Sequence, residues 1–156
     1  MTSSHKHMVS RNDCCAFLTL SCPISVVVKA SDRVLARRRA EQPHEEYRIM
    51  KKLGDANAGR GHRNVLRVYA DAKTADFYWS VLEFGGKGDL YGIVEQHRVL
   101  PVERAVGYFR QLVDGVGFLH DQGVCHLDLS LEVVDVHDTL KIADFGELQC
   151  FVMVLC

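Results

Sequence analysis

A chain of 156 residues, 47% hydrophobic and 25% charged, has the make-up of an ordinary globular domain and is long enough to bury roughly two-thirds of its unfolded surface. Its net charge of −1 gives no electrostatic reason for a nucleic-acid partner or an anionic membrane surface. Six cysteines (Cys14, Cys15, Cys22, Cys125, Cys150 and Cys156) show no C-x-x-C and no disulfide-framework spacing, so they read as reduced thiols of a cytoplasmic protein.

Residues 1–20 carry no clear period and stay unassigned, a stretch open to disorder. The apolar run 14–28 is too short and too interrupted to span a membrane, and Asp13 at its edge and Pro23 inside it argue against a secretory leader. Within it, 26–30 is a β-branched strand with Val27 and Lys29 on one face. Arg37-Arg38-Arg39 reads as a solvated helix face. A helix is predicted over about 43–53, opened by Pro43 and carrying Ile49, Met50 and Leu53. Glu46 precedes these by three, four and seven positions, so its carboxylate points along the apolar stripe. A carboxylate there wants a cation, and Lys29 is the candidate; the alternative is a solvated Glu46 at the rim of the stripe.

Residues 54–61 form a loop by composition, and 65–69 and 77–82 read as two antiparallel strands. The glycine-rich segment 83–89 is a connector and the best boundary between two subregions. A long helix follows over 101–120, with Val102, Ala105, Phe109, Leu112, Val116 and Leu119 as its predicted buried stripe and Gly123 as its stop. His120, Cys125 and His126 lie close in sequence, but a helix end and a loop suit packing or capping histidines better than metal ligands. A strand near 132–136, a turn at 137–139 and a strand at 140–143 complete the pattern.

Two acidic residues stand out. His126-Leu127-Asp128-Leu129-Ser130 precedes Leu140-Lys141-Ile142-Ala143-Asp144-Phe145-Gly146, with sixteen positions between the aspartates. Two aspartates on neighbouring loops, the second opening Asp-Phe-Gly after an apolar strand, suit phosphoryl transfer: one orients the attacking hydroxyl, the other holds Mg²⁺ against the phosphates. The pair resembles the catalytic and metal loops of protein kinases. The order of strand with lysine, helix with glutamate, strands, glycine connector, long helix, His-x-Asp loop and Asp-Phe-Gly is similar to that family over roughly 24–149.

The resemblance implies an α+β, two-lobed protein kinase-like fold, incomplete, with a small lobe over about 21–85 and the start of a large lobe over about 86–150. It further implies that Lys29 holds the α- and β-phosphates of ATP, with Glu46 as its helix partner. Val27 then faces the adenine, Leu82 is the gatekeeper, and Glu83 and Gly85 offer backbone groups to the adenine edge. Asp89 reaches the ribose, Asp128 is the catalytic base and Asp144 the Mg²⁺ ligand. Gly61-His62-Arg63-Asn64-Val65-Leu66 is similar to the family's H-x-N-I-V segment.

Departures are equally plain. Residues 1–28 contain no glycine, so the G-x-G-x-x-G phosphate cover is missing. Val27 stands where the family has alanine, Leu127 replaces its arginine and Ser130 its lysine. The asparagine expected five residues after Asp128 is Val133, and the spacing from Asp128 to Asp144 is two residues shorter than usual. The chain also stops twelve residues after Asp144, before a substrate platform. Three readings follow: a Ser/Thr protein kinase by family with weak or no activity of its own, a pseudokinase-like module for a regulatory protein partner, and a non-functional truncated product.

Overall fold

The computed structural model of the chain describes residues 8–11, 14–19, 26–38, 43–129, 133–135, 137–145 and 149–150. These form two compact units, one built from 1–51 and 67–84, the other from 52–66 and 85–156.

The first unit is a five-stranded antiparallel sheet of order β1-β2-β3-β5-β4: β1 (Met8–Arg11), β2 (Cys14–Thr19), β3 (Val26–Asp32), β4 (Val68–Lys73) and β5 (Phe77–Glu83). β1 and β2 lie in the stretch that shows no sequence period; they exist by pairing in order onto β3, with Phe17 opposite Val28 and Ala16 opposite Lys29. Helix α1 (Arg33–Arg38) is started by Asp32, whose Oδ1 accepts the amides of Val34 and Leu35. Arg37 and Arg38 are exposed, as a solvated face requires; Arg39 lies outside the described residues. Helix α2 (Pro43–Gly59) buries Ile49 and Met50 and remains helical past Leu53, so Gly54 is inside it; the backbone leaves helical geometry from Ala56 onward.

β4 begins three residues later than the predicted 65–69. The cause lies in the second unit, where Leu66 donates its amide to Ile142 O and Ile142 donates to Asn64 O (2.9 and 2.8 Å). The Asn64 carbonyl and the Leu66 amide thus form a parallel bridge that sets Val65 beside Ile142, and the Val65 amide donates to His62 O (3.1 Å).

The second unit contains α3 (Leu90–His97), α4 (Val102–Asp121), β6 (Val124–Cys125), β7 (Val133–Val134), β8 (Leu140–Lys141) and β9 (Gln149–Cys150). β6 pairs with β9 and β7 with β8, both antiparallel. Ile93, Tyr108, Val134 and Leu140 form a buried cluster, with Leu90, Leu100 and Leu112 packed on it. α3 escaped the sequence reading because it is short and has a glycine in its first turn; Asp89 starts it by accepting the Gly92 amide on Oδ1 at 2.8 Å.

The predicted stripe of α4 is corrected by about one position. Leu119 is buried and Leu112 packs on the buried cluster, as predicted, but Tyr108, Gly115 and Phe118 are the other buried positions, whereas Val102 is 72% and Phe109 65% exposed. Gly115 decides the rotation. A Cβ there would come within 2.8 Å of Ile142 Cδ1 and 3.1 Å of Asn64 O, so the absence of a side chain is what lets this segment approach so closely. Among the described residues no helix is long and apolar enough to cross a membrane.

Candidate functional site

In the first unit, β3 and β5 pair so that Val27 opposes Leu82 and Lys29 opposes Ser80. Directly opposed residues share a face, so Val27, Lys29, Ser80 and Leu82 line one side of the sheet. Leu82 is buried and Val27 half-buried. Lys29 Nζ donates to both carboxylate oxygens of Glu46, at 2.9 and 3.1 Å, with the two side chains 21% and 12% exposed. The expected pair is formed. Burial of this order makes each charge depend on the other, and the bidentate contact fixes the lysine tip. The Glu83 amide donates to Arg67 O (2.8 Å) and its Oε2 accepts the Arg67 amide (3.1 Å), so Glu83 is anchored at the end of the sheet.

In the second unit the connector is pinned to the β7–β8 hairpin. Val134 donates to Gly88 O (2.8 Å), Lys87 donates to Val134 O (3.0 Å), and Asp89 bridges Val133. Gly85 is buried, and a Cβ on it would stand 1.8 Å from Val133 Cγ1. Val133 therefore packs against the connector. Asp138 reinforces the arrangement: its Oδ1 accepts from Lys87 Nζ (2.8 Å), Arg104 Nη2 (2.7 Å) and Tyr108 OH (2.9 Å). Hydrogen bonds from Lys87 and Arg104 hold the Asp138 carboxyl well below the usual carboxylate range.

Asp128 and Asp144 are both exposed, on the loops where the sequence places them. Leu127 (φ 63°) and Asp144 (φ 59°) adopt left-handed backbone. Aspartate tolerates that region, whereas for leucine it costs of order 1–2 kcal/mol, a strain of the kind that collects at functional loops. What holds the loops is His126, 4% exposed. Its Nε2–H donates to Ala143 O at 2.9 Å, and its ring lies 5.0 Å from that of Phe145, tilted by 59°. One imidazole thus grips both chain neighbours of Asp144 while standing two residues before Asp128. The sequence reading as a packing histidine holds, but the role of tying the two loops together was not visible in it.

Asn64 is a second support the sequence did not reveal. Fully buried, it donates from Nδ2 to Gln111 Oε1 (3.0 Å) and Leu140 O (2.8 Å), while Gln111 Oε1 also accepts the Leu140 amide. The strand leading into Asp144 is thereby bolted to α4.

Among the described residues no three His, Cys, Asp or Glu side chains converge as a metal cage. A single carboxylate, Asp144, on a braced loop suits a cation that takes its remaining oxygens from phosphates and water, as Mg²⁺ does. Val133, where the resemblance leads one to expect a second ligand, has no donor atom in its side chain.

A sequence model of the protein kinase domain matches residues 22–151. The chain is 33% identical over 125 residues to the CBL-interacting serine/threonine-protein kinase 26 of Arabidopsis thaliana, covering 79% of this chain and 27% of that protein. It is 36% identical over 126 residues to the CBL-interacting protein kinase 8 of Oryza sativa subsp. japonica (78% and 27%), and 39% identical over 93 residues to the serine/threonine-protein kinase chk1 of Schizosaccharomyces pombe (58% and 19%). The chain spans between 19% and 27% of the length of these relatives. With the matched segment running from the strand that carries Lys29 to the loop beyond Asp144, this chain belongs to the protein kinase domain family and holds part of its α+β fold.

Proposed function

We propose that this chain carries a protein-kinase-type nucleotide site, that its inherited chemistry is ATP-dependent phosphoryl transfer to protein Ser/Thr hydroxyls, and that its own activity is weak or absent. The observation that carries the nucleotide reading is the bidentate Lys29–Glu46 pair, which presents an oriented cation beside the Val27–Leu82 face. On this reading Lys29 meets the α- and β-phosphates, and Val27 and Leu82 contact the adenine. The connector at Glu83 and Gly85 lies along its edge, and Asp89, while capping α3, stands at the ribose. Asp144 would hold Mg²⁺, which when bound draws charge off the phosphates. Asp128 would accept the proton of the substrate hydroxyl.

Weakness follows from what surrounds these groups. β1 and β2 stand before β3, where the phosphate cover belongs, yet carry no glycine to bring backbone amides over phosphates. Ser130 supplies no cation. Catalysis of this reaction is positioning and charge neutralisation, and each lost part costs a few kcal/mol.

Val133 favours a second reading, a regulatory module that binds a protein partner in the cytoplasm. Where the resemblance expects a second metal ligand, this valine serves the packing of the connector through Gly85.

Thermal-shift titration with ATP, with and without Mg²⁺, tests the nucleotide site. A small shift, only partly dependent on Mg²⁺ and lost in Lys29→Met, is expected; no shift at millimolar ATP would remove the reading. Radiolabelled ATP with a generic acceptor protein, beside Asp128→Asn, tests the chemistry. Label above that control would restore a working kinase, and equal background would favour the regulatory module.

A further inference from the structure

Lys87 is the one residue of 85–88 that carries a side chain; its neighbours are Gly85, Gly86 and Gly88. Gly88 adopts left-handed backbone (φ 83°), and glycine loses more conformational freedom on ordering than any other residue. Such a segment has no strong preference of its own and must be held by its surroundings. Two backbone bonds tie it to β7, from the Val134 amide to Gly88 O and from the Lys87 amide to Val134 O. A further tie comes from the lysine itself, whose Nζ donates to Asp138 Oδ1 at 2.8 Å.

Asp138 is a fixed post for that flexible arm. Its left-handed backbone (φ 65°) lies in the turn between β7 and β8, where its amide donates to Asp135 O (3.1 Å). Asp135 Oδ1 in turn accepts the amides of His137 and Thr139, at 2.8 and 2.9 Å. From α4, Arg104 Nη2 and Tyr108 OH donate to the same Asp138 oxygen that takes the lysine. Two cations therefore meet on one carboxylate oxygen. Without its charge Lys87 and Arg104 would face each other, and like charges at that range repel. The connector is drawn to the hairpin only while residue 138 is negative.

We propose that Asp138 is a positioning residue for the nucleotide site. Acting through Lys87, its carboxylate holds the connector so that Gly85 stays along the adenine edge and Asp89 at the ribose. The proposal rests on the nucleotide reading above. All of these residues belong to the second unit, so the tie works within one compact body. Both side chains are more than one-third exposed (38% and 41%), so losing the pair costs the fold modestly and the order of the connector more. Asp138 does not itself meet the nucleotide, and its effect should vanish once the lysine is gone.

Chemical-shift titration with ATP and amide hydrogen exchange, both on the isotopically labelled chain, test this. Asp138→Asn and Lys87→Met should each weaken ATP binding about five-fold. Each should also speed exchange of the Lys87 and Val134 amides several-fold, while the Leu66 and Ile142 amides, bonded elsewhere in the same unit, keep their rates. Adding Asp138→Asn to Lys87→Met should change ATP binding no further. A loss of affinity that persists undiminished in the Lys87→Met background would overturn the proposal. So would exchange that rises equally at Leu66 and Ile142, since Asp138 would then serve the fold alone. An ATP response unchanged by either variant would overturn this proposal and leave the nucleotide reading standing. No ATP-dependent shifts in the parent chain would overturn the nucleotide reading and, with it, the site that Asp138 serves.

Discussion

Lys29 and Glu46 are seventeen residues apart in the chain, yet both oxygens of the carboxylate hold the one ammonium group, at 2.9 and 3.1 Å. The side chains come from β3 and α2, each delivered by its own local period. Such a pair is pre-oriented for an anion but has little stabilising surplus, because burying two charges costs much of what their attraction returns. Glu46→Gln should therefore lower stability in urea by only about 1–2 kcal/mol while abolishing the ATP-dependent thermal shift. A variant as responsive to ATP as the parent would show that the pair does not orient the lysine for phosphate.

Gly85 and Val133 should behave as one unit. Gly85→Ala places a methyl 1.8 Å from Val133 Cγ1, inside any tolerable contact, and should cost about 1–3 kcal/mol. Val133→Ala in the same chain should recover most of that loss. A double-mutant cycle with coupling near zero would mean that the connector simply shifts away from β7.

His62 should make the chain sensitive to mild acid. Its ring stacks on Phe118 at 4.9 Å, and burial, with the charges of Arg63 and Lys141 adding and Asp114 opposing, lowers its pKa below the ordinary 6.5. The unfolded chain then takes up the proton first, so the stability associated with neutral His62 is present above 6.5 and is lost as pH falls below it. His62→Phe keeps a stacked ring and removes the titration. Urea midpoints measured between about pH 7 and about pH 5.5 should fall less steeply in this variant than in the parent. Equal slopes would assign the acid sensitivity to other groups.

Asp138 should act in a lower window. With its carboxyl held below the usual range by Lys87 and Arg104, it stabilises the fold above about pH 4 and loses that contribution as pH drops further. Because the side chain is 41% exposed, Asp138→Asn should cost only about 1–2 kcal/mol at neutral pH. The gap between variant and parent should close in acid. A gap that stays constant to about pH 2.5 would mean that the shape of the side chain matters here and its charge does not.

Whatever depends on local period or on a short motif was legible in the residues. The β-branched run placed Lys29 on a strand, the spacing of Ile49, Met50 and Leu53 aimed Glu46 along a helix, and the two aspartate motifs marked their loops and the family. Each of these signals lies within a few residues of chain, which is the range over which backbone geometry fixes where a side chain points.

Interactions between distant segments decided the rest. β1 and β2 show no period of their own and are strands because β3 offers them a ladder. Val65 and Leu66 look like strand residues, but Ile142 bonds the Leu66 amide and the Asn64 carbonyl on either side of Val65, and β4 begins only at Val68. On α4 the larger, more regular apolar row is the exposed one. The buried face is chosen by Gly115, the residue that contributes least hydrophobicity, because only the absence of a side chain lets Asn64 and Ile142 approach. Composition and spacing determined which elements this chain can form and where its chemistry-bearing residues fall; close packing, which rewards fit rather than hydrophobicity alone, determined which faces meet.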